Sequence, residues 1–236
     1  RRVSAATDAP LQIDSADPRV IESAVRRCNG RPLINSVNGK QEVMDAIFPI
    51  VEKYGTCVTA LTLDEKGLPK DAEERIAIAG RIIKEAEKYG IGRERILVDC
   101  LTLTVSAQQN AGRDTLEAIR RVKDRFGVKT TLGASNVSFG LPARKLLNTT
   151  FLAMALEAGL DAPITDPLVS ENMDTVRAFE TLAGKDTDSR DYISRYGGQA
   201  EKTINTAKPD KSETESSLTD IILNGYADRA AEATRK

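Results

Sequence analysis

Short apolar runs rich in β-branched residues alternate along this chain with longer stretches of helical periodicity, and this alternation constrains the fold more than any other feature. It is typical of βα units that repeat around a parallel sheet. The runs predict six strands, at residues 11–14, 32–36, 57–63, 96–99, 130–135 and 160–165. We therefore predict a protein of the α/β class.

The spacing of the repeats, roughly 20 to 35 residues, fits a (β/α)8 barrel of the TIM type or a doubly wound sheet. No GxGxxG follows the first predicted strand, and this favours the barrel. A TIM barrel has eight strands, so we predict a barrel that lacks the first two βα units and carries a C-terminal helical tail.

The domain organisation follows from a change of composition after the last predicted barrel helix. We assign residues 1–184 to the barrel, which we expect to begin partway through its domain. Residues 185–217 are polar, without a sustained apolar period, and predict a linker. Residues 218–236 predict a helix, because apolar side chains recur there at helical spacing: Leu218, Ile221, Ile222, Tyr226 and Ala230.

Composition excludes several classes of function. Lysine and arginine (34) balance aspartate and glutamate (35), so we expect neither nucleic acid nor a membrane as a partner. We predict a cytoplasmic location, because no apolar run reaches the roughly 18 residues of a membrane span and no secretory core is present. The three separated cysteines and the absence of histidine predict no metal site and no histidine-based nucleophile.

Polar residues close most of the predicted strands. Asp14, Asn35 and Asp99 each end an apolar run, and Ser135 with Asn136 ends another. Any one of them would also suit a turn or a helix cap, but ligands of (β/α) barrels lie at these carboxyl ends. Carboxylates and amides without a glycine-rich loop favour a ligand that offers N–H donors, such as a fused heterocycle with an amino-pyrimidinone edge.

Arg144 follows this set in the sequence. Two interpretations stay open for it. It is either an exposed arginine at the start of a helix, or a partner for a ligand carboxylate or a site aspartate.

Six sequence motifs, in this order between residues 10 and 185, resemble the pterin-binding family: LQIDS at 11–15, LINSVN at 33–38, GLPKD at 67–71, LGASNVS at 132–138, NTTFLAM at 148–154 and GLDAPITD at 159–166. Within that family the chain resembles the methyltetrahydrofolate methyltransferases that serve corrinoid proteins and cobalamin-dependent methionine synthase. The tail at 218–236 resembles the start of the helical cap that precedes a cobalamin-binding domain.

The resemblance implies roles for the site residues. Asp14, Asn35 and Asp99 would hydrogen-bond the pterin ring, Asn136 would reach N5 as the catalytic residue, and Arg144 would support that wall of the substrate site. The N5 methyl group of methyltetrahydrofolate would move to cob(I)alamin on a partner corrinoid protein or domain. Asn136 suits its role, because an amide can donate or accept as charge changes at the leaving nitrogen.

Other functions stay open at this point. One is a pterin- or corrinoid-protein-binding module without catalysis, and another is a different enzyme of the same fold, such as dihydropteroate synthase. That synthase typically carries Ser-Arg-Lys where this chain reads Ser135, Asn136 and Val137. The final methyl acceptor, homocysteine or a corrinoid protein, also stays open, and we allow for a homodimer.

Overall fold

The computed structural model describes residue 3 and residues 5–204 of the chain. These residues form two compact units, one ending at Thr187 and the other beginning at Asp188. The predicted helix at 218–236 lies outside the described residues.

The first unit is built on one parallel sheet whose six strands lie side by side in chain order. The strands are β1 (Gln12–Asp14), β2 (Leu33–Asn38), β3 (Cys57–Leu61), β4 (Ile96–Asp99), β5 (Lys129–Gly133) and β6 (Ala162–Ile164). All six predicted strands are confirmed, with ends that differ from the prediction by two residues at most.

A helix follows each strand. These helices are α1 (Pro18–Val25), α2 (Gln41–Tyr54), α3 (Ala72–Lys88), α4 (Ala111–Phe126), α5 (Arg144–Glu157) and α6 (Ser170–Leu182). Short 3-10 turns occupy Arg93–Arg95 and Ala134–Ser138. None of the helices within the described residues is long and apolar enough to cross a membrane. This βα order is that of the TIM-barrel type, and the described residues hold six of its eight strands, as predicted.

Strands β1 to β5 each have one face buried against the helices and one concave face, whereas no residue of β6 is buried. Ile13, Ile34, Val58 and Val98 are at most 9% exposed and pack in the same core as the apolar stripes of the helices. Neighbouring side chains along a strand point the opposite way. Asp14 is accordingly exposed, although Ile13 beside it is buried. The concave face and its rim therefore hold Asp14 and Asp99, which end β1 and β4, together with Asn35. The prediction that Asn35 closes its strand is wrong, because β2 continues to Asn38.

The second unit contains α7 (Arg190–Ile204), which follows a 3-10 turn at Thr187–Ser189. This helix lies inside the stretch 185–217, where we predicted a polar linker and no helix. Its sequence is mostly polar, and the rings of Tyr192 and Tyr196 pack with centroids 4.6 Å apart. Residues 205–217 lie outside the described residues, so the division into barrel, linker and tail stays a prediction.

Candidate active site

Asp14 and Asn35 end up next to each other. The two residues are partners in the parallel register of β1 and β2. Asn35 Nδ2 donates a hydrogen bond to Asp14 Oδ2 at 3.1 Å. The amide has a second N–H and the carboxylate a second oxygen, so this pair can still bind a ligand that both donates and accepts.

Asp99 lies farther along the sheet, at the end of β4, in register with Leu61 on one side and Thr131 on the other. Burial raises the pKa of Asp99 to about 6, and a hydrogen bond from the Leu101 backbone N–H to Oδ1 (2.8 Å) acts in the opposite direction. The carboxyl group is therefore mostly ionised at neutral pH and takes up a proton on mild acidification.

Strand β3 separates Asp99 from the Asp14–Asn35 pair. Thr59 of β3 is the register partner of Asn35 and is fully buried. Its Oγ1 has no hydrogen-bond partner within the described part of the chain. Sequence reasoning did not single out Thr59, since a threonine inside an apolar strand is ordinary in a parallel sheet.

Asn136 lies in the 3-10 turn that leaves β5, and its side chain is exposed. Within the described residues, that side chain makes no hydrogen bond, whereas the backbone carbonyl accepts from Phe139 N at 3.2 Å. A Cβ atom built on Gly133 would lie 3.2 Å from Asn136 Nδ2, so the amide sits over the end of β5. Its hydrogen-bonding capacity is thus available to a ligand.

Arg144 braces the turn that carries Asn136. Its Nε donates to Ser138 Oγ at 3.1 Å and its Nη2 to the Ser135 carbonyl at 3.2 Å, and its guanidinium lies 5.8 Å from the centroid of the Phe139 ring. Arg144 is also the first residue of α5 and is exposed. These contacts fit a supporting role in the wall, and contact with a ligand stays a prediction.

Ser138 is the centre of this brace and was not predicted. Its side chain is fully buried, and its Oγ donates to Asn148 Oδ1 at 2.6 Å while accepting from Arg144. Both Ser138 and Asn148 lie in motifs that the sequence analysis singled out, but nothing local in those motifs pairs them.

Arg75 of α3 is the main residue that sequence reasoning missed. It is fully buried and donates to the backbone carbonyls of Cys100, Asp71 and Leu101. Desolvation lowers the pKa of this arginine. A signal was present, because Arg75 falls on the stripe of α3 that is otherwise made of buried apolar residues such as Ile76 and Ala79.

The cysteines show no sign of chemistry. Cys28, Cys57 and Cys100 are free thiols, and burial raises the pKa of Cys100 well above its usual range. Within residues 3 and 5–204, no group of three or more His, Cys, Asp or Glu side chains is placed to hold a metal ion.

The arrangement as a whole offers carboxylates and amides on one concave face, at the carboxyl ends of parallel strands. Among the described residues, no hydrogen bond links Asp99 or the Asn136 side chain to the Asp14–Asn35 pair. The face therefore presents separate polar groups, as required by a flat ligand that contacts several of them at once.

Comparison with known proteins shows which family the chain belongs to. The family model described as "Pterin binding enzyme" matches residues 1–166, more than half of the chain. The chain belongs to the pterin-binding enzyme family. The resemblance seen in the sequence motifs is thereby confirmed.

Two kinds of relative from this family are similar to the chain. It is 30% identical over 197 residues to the "Methylcorrinoid:tetrahydrofolate methyltransferase" of Eubacterium limosum, covering 82% of this chain and 73% of that protein. It is 37% and 38% identical over 176 residues to the "Methionine synthase" proteins of Mycobacterium leprae and Mycobacterium tuberculosis. Those matches cover 69% of this chain but only 15% of each methionine synthase.

Solved structures of dihydropteroate synthases share the fold. The enzyme of Yersinia pestis with a pterine-sulfa conjugate superposes with a TM-score of 0.62 at 17% identity, covering 78% of this chain and 72% of that one. The enzyme of Xanthomonas albilineans in complex with 7,8-dihydropteroate gives 0.60 at 20% identity, covering 77% and 70%. At this identity the pterin-binding family fold is shared, which confirms the TIM-barrel-type prediction.

Proposed function

We propose that this chain binds methyltetrahydrofolate on its concave face and transfers the N5 methyl group to cob(I)alamin held by a partner protein or domain. Family membership supports pterin binding, and the name of the Eubacterium limosum relative supports methyl transfer between folate and a corrinoid. The observation that carries the proposal is the exposed Asn136 amide, which has no hydrogen bond within the described residues and stands on a braced turn.

The concave face fits the amino-pyrimidinone edge of a pterin. That edge offers N–H donors together with a carbonyl acceptor. Asp14 and Asp99 supply carboxylate oxygens to accept from the ring, and Asn35 keeps one N–H free after donating the other to Asp14. We assign Asp14, Asn35 and Asp99 to recognition of the ring.

Asn136 addresses the difficult part of the reaction, the departure of a tertiary amine. When the bond between N5 and the methyl carbon breaks, its electron pair stays on N5, which then needs a proton or a stronger hydrogen bond. An amide N–H from Asn136 would donate to that developing lone pair. Reduced cobalamin, bound by the partner, supplies the nucleophile that accepts the methyl group.

The brace around Asn136 keeps its amide in position before the reaction. Arg144 and Ser138 hold the turn from two sides, and Asn148 fixes Ser138 from α5. A donor that is already oriented contributes more to transition-state stabilisation than one that must reorganise. Arg144 therefore supports catalysis through the turn.

Dihydropteroate synthesis is less well supported for this chain. The similarity to those synthases rests on the fold at identities of 17% and 20%. Asn136 also stands where the synthases typically carry an arginine. A binding module without catalysis remains as the alternative outcome of the experiment below.

The test measures methyl transfer from methyltetrahydrofolate to free cob(I)alamin by the absorbance change of cobalamin, alongside the Kd for methyltetrahydrofolate. Asn136→Ala should lower the rate by about 100-fold, as loss of one preorganised donor does. Its Kd should change by less than about threefold, because the ring contacts remain.

Asn110→Ala is a matched control, since Asn110 is an exposed asparagine whose side chain caps no helix. It should leave both quantities unchanged. Folate binding without any transfer by the wild type would contradict the enzyme and favour the binding module. Equal losses of rate and affinity in Asn136→Ala would contradict its role at N5.

A further inference from the structure

Arg75 is a fully buried cation, and its observed hydrogen bonds are all donated to backbone carbonyls. Its Nε donates to Cys100 O at 2.8 Å, its Nη1 to Asp71 O at 2.8 Å and its Nη2 to Leu101 O at 3.2 Å. Within the described residues it forms no salt bridge. Burial of a guanidinium is costly, so a site that keeps one has a use for its rigid fork of donors.

The segment that Arg75 holds is the one that leaves β4 directly after Asp99. Leu101 has a positive φ of 52°, a backbone conformation that residues other than glycine rarely adopt. Its carbonyl accepts from Arg75, and its N–H donates to Asp99 Oδ1 at 2.8 Å. The same residue thus connects the buried arginine to the carboxylate.

We propose that Arg75 is a positioning residue for Asp99. By holding the carbonyls of Cys100 and Leu101, it fixes the Leu101 N–H that orients the Asp99 carboxylate toward the concave face. The inference rests on the proposed function for the part that concerns ligand binding, and on the turn geometry alone for the rest.

Arg95 provides a matched control. It also donates to backbone carbonyls, from Nε to Thr56 O at 3.0 Å and from Nη2 to Val51 O. It lies at the amino end of β4, immediately before Ile96, whereas Asp99 lies at the carboxyl end. Replacing Arg95 therefore removes the same kind of interaction from the same strand without touching the Asp99 turn.

The first experiment compares Arg75→Lys with Arg95→Lys in the full chain. Lysine keeps the charge and loses the fork. Arg75→Lys should weaken methyltetrahydrofolate binding by about tenfold, since small misplacements of a positioned group cost one to two powers of ten. Arg95→Lys should change the Kd by less than about twofold. Equal effects of the two variants would overturn the proposal.

A double-mutant cycle then distinguishes positioning from general damage. If Arg75 acts through Asp99, Arg75→Lys should not change the Kd further once Asp99→Asn is present. If Arg75→Lys instead causes a general structural defect, its effect on the Kd should add to the effect of Asp99→Asn. Additive effects would overturn the proposal. If Arg75→Lys does not fold, Arg75→Gln, which keeps an N–H donor and removes the buried charge, takes its place.

Hydrogen exchange of the Leu101 amide tests the geometry without any folate. Arg75→Lys should speed this exchange by at least about tenfold relative to Arg95→Lys, because the turn loses its anchor. Failure of the wild type to bind methyltetrahydrofolate would contradict the proposed function alone. Unchanged exchange at Leu101 would contradict the role of Arg75, whatever the ligand proves to be.

Discussion

The protonation of Asp99 depends on its place at the end of a buried strand. Burial raises its pKa from 3.8 to about 6, and the Leu101 N–H offsets only part of that rise. The folded chain therefore binds this proton more tightly than the unfolded chain does. Protonation of Asp99 therefore stabilises the folded chain. This stabilisation is fully present below about pH 3.8 and is lost as the pH rises through about 6.

Ligand binding should show the opposite dependence on pH. A pterin that donates N–H groups needs the ionised carboxylate, so affinity for methyltetrahydrofolate should be highest above pH 6 and fall as the pH drops through about 6. Titrations between about pH 5 and 8 measure this. Asp99→Asn should bind more weakly at neutral pH and lose the dependence near pH 6. An unchanged pH profile in that variant would exclude Asp99 as the acceptor.

At the scale of elements, the start of α3 combines a helix cap with the hydrogen bonds that Arg75 donates to backbone carbonyls. Asp71 Oδ1 accepts from Glu74 N at 2.9 Å, and Glu74 Oε2 accepts from Lys70 N at 2.8 Å. These two hydrogen bonds fix the first turn of α3. The same turn supplies the Asp71 carbonyl to Arg75. The start of α3 and the turn after β4 are thus held as one piece.

Removing the cap should therefore destabilise the chain measurably. Asp71→Ala should lower the free energy of unfolding by about 1 kcal/mol, because the Glu74 N–H loses its acceptor. Asp71→Asn keeps an acceptor and should lower the free energy of unfolding by only a few tenths of about 1 kcal/mol. Urea unfolding of the wild type and both variants provides the comparison. Equal destabilisation by alanine and asparagine would show that the cap does not matter.

At the scale of the whole molecule, four of the six strands contribute polar residues to one concave face and its rim. Asp14 and Asn35 lie at one side of the sheet, Asp99 near its middle and Asn136 after β5. A ligand that contacts all of them joins strands that are far apart in the sheet. Binding should then stabilise the barrel unit as a whole.

We expect methyltetrahydrofolate at about 100 times its Kd to add about 2.7 kcal/mol to the free energy of unfolding. For a unit of this size that corresponds to a rise in Tm of roughly 5 to 10 °C. The control ligand is p-aminobenzoylglutamate, which lacks the pterin ring and should produce almost no shift. An equal shift with both ligands would argue against ring recognition by the concave face.

Local patterns were sufficient to predict the strands and the face that carries the candidate site residues. The run Ile96–Asp99 predicts a buried strand because apolar residues occupy three positions and a carboxylate ends it. Since all parallel strands end at one edge, the strand ends Asp14 and Asp99 could be assigned to a common face from the sequence. Asn35 joins them through its register with Asp14, although β2 continues to Asn38. The sequence alone thus determined the βα repeat, the family and the candidate ring contacts.

Tertiary structure alone decided how those residues are held. Arg75 and Cys100 are 25 residues apart, and Asp14 and Asn35 are 21 apart, so no periodic pattern connects them. The pKa of Asp99 depends on burial that neighbouring elements create. Helix α7 also escaped prediction, because its sequence is polar and carries two adjacent glycines. Hydrogen bonding and desolvation depend on distance in space, which sequence periodicity within a single element does not encode.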